Sequence, residues 1–201
     1  MNSRPRPLKW PIYGLCLLSL GLSWWLAPAF ADALESWGYA LRVTARVAFV
    51  FLLLAMVARP LMQLFKQGRV LLLHRRYLGL SVAFTHTIHF IFVVLVVQAD
   101  PEPLALPVAI LGGGAFAVMW LMALTSNAAG IRRLGPWWSR LHRFGSYYLW
   151  IVFMQSFAGR IPITSGVDQV LYSALTLAGL VVLGLRIAAF IKKRRRVPTP
   201  A

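Results

Sequence analysis

Two histidines, His86 and His89, stand in the middle of an apolar stretch, Tyr77 to Val97, that carries no formal charge. Its 21 residues are the length a helix needs to cross a hydrocarbon core of about 30 Å. An ionisable side chain at that depth is costly, and it faces a bundle interior, a cavity or a bound group. A neutral imidazole is also a ligand for iron. The chemistry therefore turns on what these two rings touch.

Two further histidines lie near the ends of apolar segments: His74 in LLLHRR and His142 in WWSRLHRFGSYY. His74 precedes His89 by 15 residues, about 22 Å along a helix and about 60° around it, so the two share a broad face. His86 and His89, three apart, also share a face. With Pro136 in its first turn, the helix that carries His142 begins near Trp137, which sets His142 at a depth close to that of His74. The spacing thus predicts two layers roughly 20 Å apart, His74 with His142 in one and His89 in the other, the arrangement of an electron path through a membrane. Other readings stand beside this one. His74, next to Arg75 and Arg76, also reads as a solvated interface residue, and His142 as an interfacial side chain of a basic amphipathic turn. His86, between Thr85 and Thr87, also reads as a helix–helix hydrogen-bond partner.

Arg46 lies about two turns inside the outer end of the apolar run Trp37–Ala58, where an uncompensated guanidinium is costly. A haem carries two propionates, and arginine pairs with carboxylates bidentately. The alternative is that Arg42 and Arg46 snorkel to the headgroups.

The elements that must position these residues follow from composition. The chain has 201 residues, 59% of them hydrophobic, too apolar for a soluble protein of this size. Six spans are expected at about 11–30, 37–58, 77–97, 104–124, 137–157 and 170–191, an all-α polytopic membrane bundle that fills one domain, 1–201, and leaves no room for a soluble catalytic domain. The net charge of +16 reads as a nucleic-acid signal until it is mapped. Of the 21 basic residues, 18 fall on one side of the spans, and all five acids, Asp32, Glu35, Asp100, Glu102 and Asp168, fall on the other. This bias puts both termini in the cytoplasm, and the charge needs no nucleic acid to explain it. Arg4–Lys9, an apolar run and Ala29-Phe30-Ala31 are similar to a secretory signal, but Trp24 and Trp25 suit an interface anchor, and retention as a first helix is expected. The single Cys16 allows no intramolecular disulfide. Broken helices in repeated halves would mark a transporter; Gly112-Gly113-Gly114 is the one such cluster in the sequence and it is unpaired.

Three strings, TARVAFVFLLLAMVARPL, HRRYLGLSVAFTHTIHF and LMALTSNAAGIRRLGPWWSRLHRFGSYY, resemble the ferric-reductase-like transmembrane domain family, and within it the haem-binding membrane subunit (MsrQ-type) of the periplasmic protein-methionine-sulfoxide reductase system. The resemblance runs from about Thr44 to about Tyr148. It implies a six-helix protein of the bacterial inner membrane that binds one or two haems b, with FMN as a further associated cofactor. Such a protein passes electrons from the quinone pool or a cytoplasmic flavin reductase to a periplasmic molybdopterin enzyme that repairs oxidised methionine. Residue by residue, the family's third-span iron ligand falls on His89, its first fifth-span ligand on His142 and its second-span arginine on Arg46. Its next fifth-span histidine, 13 residues on, falls on Gln155, a poor iron ligand, so that the upper haem is lost, is five-coordinate, or recruits His86 or Met154. The family usually has no histidine at the position of His74, which allows an inner site between His74 and His142. A divergent ferric or quinone-linked reductase subunit, or a non-redox transporter or assembly protein with structural histidines, are the alternative readings.

Overall fold

A computed structural model of the chain describes residues 9–25, 30–99 and 105–195. Arg4, Arg6, Ala29, Asp100, Glu102 and Arg196 lie outside them. Among the described residues the fold is all-α, with no strand: α1 (Lys9–Trp25), α2 (Ala33–Phe65), α3 (Arg69–Ala99), α4 (Leu106–Leu124), α5 (Ala128–Leu134), α6 (Pro136–Arg160), a single 3₁₀ turn (Ile161–Ile163) and α7 (Gly166–Arg194). Helices α2, α3, α4 and α7 are long and apolar enough to cross a membrane, and the chain is a multi-pass membrane protein. The apolar part of α1, Ile12–Leu22, is shorter, and α6 interrupts its apolar residues with Arg140, His142 and Arg143.

The helices outrun the apolar runs that announced them, because only local chemistry stops them. α2 starts at a reciprocal cap: the Glu35 amide donates to Asp32 Oδ1 at 2.8 Å, and the Ala31 amide donates to Glu35 Oε2 at 2.8 Å. It continues past the expected end to Phe65, until Lys66 turns left-handed at φ 62° and Gly68 follows at φ 79°, the conformations that end a helix. A Cβ on Gly68 would stand 3.0 Å from that of Leu61, so the return into α3 also needs the missing side chain. α6 begins at Pro136, as the proline predicts. The seven-residue α5 before it was not foreseen, although Asn127, whose side chain accepts from the Gly130 amide at 2.7 Å, is a standard helix cap.

α2 is the central helix. It packs along α3 most extensively and also touches α1, α6 and α7, while α4 lies against α3 and α6. Residues on several of its faces are buried, among them Ala48, Phe49, Leu52, Ala55 and Met56, the mark of a helix surrounded by others. Glycines let the remaining helices close up, as in other membrane bundles. Gly179 of α7 meets Met154 of α6 and Phe49 of α2, and Gly145 of α6 meets Met122 and Val118 of α4.

Candidate cofactor site

One face of α3 carries Arg75, Gly79, Val82, His86 and His89, spaced by four, three, four and three residues, so that they form one stripe along the helix. The stripe connects two different environments. At the end of the bundle where the acids lie, the rings of His86 and His89 stack with centroids 4.7 Å apart and planes 7° apart. Phe116 stacks on His86 at 4.6 Å, and Phe153 approaches it at 5.0 Å. His89 Nδ1 lies 3.0 Å from the Leu41 carbonyl oxygen and 3.2 Å from Thr44 Oγ1. The Thr44 hydroxyl itself donates to the Ala40 carbonyl at 2.7 Å. A carbonyl can only accept, so Nδ1 of His89 carries the proton and Nε2 keeps its lone pair, the tautomer of a metal-ligating imidazole with a backbone partner. His86 Nδ1 is buried and has no hydrogen-bond partner, so its expected role as a helix–helix hydrogen-bond partner is not met at that atom. Parallel stacked rings on one helix cannot take opposite axial positions on one iron, so in this arrangement His86 does not complete a site begun by His89.

Arg46 does not snorkel. Its Nη2 donates to Asp168 Oδ1 at 2.6 Å across the α2–α7 interface, and the guanidinium lies over the Tyr172 ring at 4.8 Å. Arg160 lies over the same ring at 5.9 Å. Arg46 Nε is buried without a hydrogen-bond partner, so the group keeps a donor for a carboxylate even while Asp168 holds Nη2. The sequence reading counted Asp168 only as an outside acid and missed this pairing. Arg42 sits over Tyr39 at 5.9 Å, in keeping with an interface residue.

At the opposite, basic end a cavity of about 1080 Å³ opens between α2, α3, α4, α6 and α7. Leu52, Val82, Met119 and Leu149 form its apolar wall, and His142 stands on its side. The Trp138 ring packs against His142 at 4.2 Å, and the Thr125 hydroxyl lies 3.4 Å from its Nε2. Two half-buried arginines cross the cavity to the backbone of α2. Arg75 Nε donates to the Ala55 carbonyl at 3.0 Å; Arg186 Nη1 donates to the Met56 carbonyl at 3.3 Å, and its Nε to the Tyr147 hydroxyl at 3.0 Å. The reason lies in Pro60, which stands inside α2. Having no N–H, it leaves the carbonyl four residues earlier, that of Met56, without its helical donor, and Arg186 supplies one.

His74 is not part of this cavity. It is buried, 5% exposed, with Nδ1 2.6 Å from the Val70 carbonyl of its own helix. One residue turns an α-helix by about 100°, and the rotation of α3 gives Arg75 and Arg76 to the cavity but not His74. His74 thus does not line the cavity that His142 borders, and the reading of His74 as a solvated residue is corrected by its burial. Gln155 lies exposed on α6, because 13 residues rotate a helix by about 220° and an inward His142 turns Gln155 outward. Met154 is buried against Gly179.

Among the described residues no three His, Cys, Asp or Glu side chains converge to hold a bare metal ion. A haem is a different demand, since its macrocycle supplies four iron ligands and the protein adds axial ones. An imidazole, an apolar wall and guanidiniums for two carboxylates are what such a group needs, and the cavity carries all three.

No family model matches the chain, and no solved structure matches it. Curated relatives do. The protein-methionine-sulfoxide reductase haem-binding subunit MsrQ of Rhizobium meliloti is 29% identical over 185 residues, covering 82% of this chain and 83% of the relative. The subunits of the same name from Pectobacterium carotovorum subsp. carotovorum and Pectobacterium atrosepticum are each 29% identical over 161 residues, covering 73% of this chain and 74% of the relative. Over roughly three quarters of its length or more, then, the chain is similar to the MsrQ-type haem-binding subunits.

Proposed function

We propose that the chain is a haem b electron-transfer subunit of the bacterial inner membrane, a single ferric-reductase-like transmembrane domain of six spans with both termini in the cytoplasm. α1 and α6 complete the four long apolar helices to an even number, and the basic end is then the cytoplasmic one. Electrons enter there from the quinone pool or a cytoplasmic flavin reductase. They leave at the acidic end to a periplasmic molybdopterin enzyme; the relatives' names support a protein-methionine-sulfoxide reductase as that partner and say no more of it. The subunit performs no substrate chemistry of its own.

The observation that carries this reading is the fixed orientation of His89. With its Nδ1 proton held on the Leu41 carbonyl, the imidazole has Nε2 left over, the orientation in which a metal-ligating histidine is held. His89 would hold the outer iron and His142 the inner one, Arg75 and Arg186 would neutralise the carboxylates of a haem in the cavity, and Arg46 Nε would do so outside. A haem bound at such sites supplies one-electron transfer at a potential set by axial ligands and burial. The protein's part is to orient the imidazoles, exclude water and neutralise the carboxylates. FMN is a further cofactor of this reading.

The test is a dithionite-reduced absorption spectrum of protein purified from haem-replete cells. Sharp α and Soret bands are expected, and His89→Ala should abolish the outer component. A colourless preparation would overturn the redox reading in favour of structural histidines.

A further inference from the structure

The cavity holds more positive charge than a haem can answer. Beyond Arg75 and Arg186, its lining includes Arg59, Arg76, Arg143, Lys193 and Arg194, contributed by α2, α3, α6 and α7, and no acid. A haem brings two carboxylates, which the two half-buried arginines match; the other five cations are exposed at the rim. Like charges gathered from four helices repel one another. A rim of this kind is stable when an anion sits in it.

The shape of the opening says what kind of anion. Ile187 and Phe190 of α7 line the cavity, yet they are 51% and 55% exposed on the outside of the bundle. The cavity therefore opens sideways, toward the hydrocarbon, directly beside Lys193 and Arg194. A small soluble anion has no use for that apolar slot, whereas a phosphate that carries acyl chains fills both halves.

We propose that the rim formed by Arg59, Arg76, Arg143, Lys193 and Arg194 binds the phosphate of an anionic phospholipid, with an acyl chain leaving the cavity between Ile187 and Phe190. The site is separate from iron ligation and does not depend on it. A lipid held there closes the side of the cavity and compensates the rim. Basic residues at a membrane surface favour anionic lipid by about fivefold each, and clusters between helices select anionic headgroups.

The experiment uses the full chain in detergent, stripped of lipid and then offered phosphatidylglycerol or phosphatidylcholine of identical chains, or sodium phosphate, with retention read by native mass spectrometry and thermal melting. Phosphatidylglycerol should be retained at least about tenfold more than phosphatidylcholine and should raise the melting midpoint. The quadruple variant Arg59→Gln, Arg76→Gln, Lys193→Gln, Arg194→Gln should lose that preference and keep its haem bands. A control, Lys66→Gln, Arg69→Gln, Arg132→Gln, Arg133→Gln, removes the same charge from the same end outside the cavity and should keep the preference. Should the quadruple variant aggregate, Lys193→Gln with Arg194→Gln at the exposed end of α7 tests the same point, and the preference should fall by more than about tenfold. Equal retention of the two lipids overturns the proposal. So does equal loss in the control, which would mean general surface attraction, or stabilisation by sodium phosphate as large as by the lipid. Loss of haem from the rim variants would assign these cations to the propionates and overturn it as well.

Discussion

The two ends of the bundle use the same side-chain types in opposite ways. At the acidic end most polar groups are held by the protein itself: His89 on the Leu41 carbonyl, Arg46 Nη2 on Asp168 with the guanidinium over Tyr172, and aromatic rings packed around His86, leaving Arg46 Nε and His86 Nδ1 without a hydrogen bond. At the basic end Arg75 and Arg186 reach backbone carbonyls and a tyrosine, Arg194 lies over the Phe190 ring, and these arginines otherwise border an open volume with His142 at its side. One region is organised in advance and the other is shaped for something that is not protein. The difference teaches that burial of a charge in a membrane has two solutions, an internal partner or a ligand, and that both occur about 20 Å apart in one small chain.

Packing breaks or sharpens this contrast most strongly. Gly179→Leu drives a side chain into the filled centre, against Met154 and Phe49, and should cost about 3 kcal/mol; Gly79→Leu places one at the cavity, where nothing stands within 4 Å of a Cβ, and should cost less than about 1 kcal/mol. Equal losses in thermal melting would show that the basic end is as full as the other. Next in size is the ion pair. Asp168→Asn leaves Arg46 charged at a half-buried site and should destabilise by about 1–3 kcal/mol, while the Arg46→Gln, Asp168→Asn double variant should lose less than the two single changes together. Additive losses would mean that the pair contributes little.

A smaller effect is expected from Thr44→Val, which removes the hydroxyl beside His89 Nδ1 but leaves the Leu41 carbonyl. Haem titration of the apoprotein should show about tenfold weaker binding at the outer site, with the His142-dependent component unchanged. The smallest is Gln155→His. Since Gln155 points out of the bundle, its replacement should leave the electron paramagnetic resonance spectrum of the oxidised protein as it was. A new low-spin species would mean that α6 turns further than this arrangement shows.

Much of the scaffold could be read from residue types alone. The long apolar runs gave α2, α3, α4 and α7, Pro136 marked the start of α6, and the charge partition separated the two ends. What escaped was whatever depended on rotation or on the main chain. His74 and Arg75 are neighbours in sequence, yet about 100° of rotation decides which one faces the cavity; no residue type announces that choice. Leu41 holds His89 through a carbonyl, a group every residue has, so nothing at that position marks it. Asp168 lies 122 positions from Arg46, and only the packing of α7 on α2 joins them.

The contact between Arg186 and the Met56 carbonyl has a genetic consequence. The donor must be arginine or something with its reach, but the acceptor exists because of Pro60, four residues away, whatever side chain stands at position 56. Mutations at 56 should therefore leave the tether intact, and it would break only by loss of Arg186 or of the proline. In a collection of diverged sequences this inter-helix link would be recorded as a coupling between positions 60 and 186, two residues of which only the second takes part in the bond.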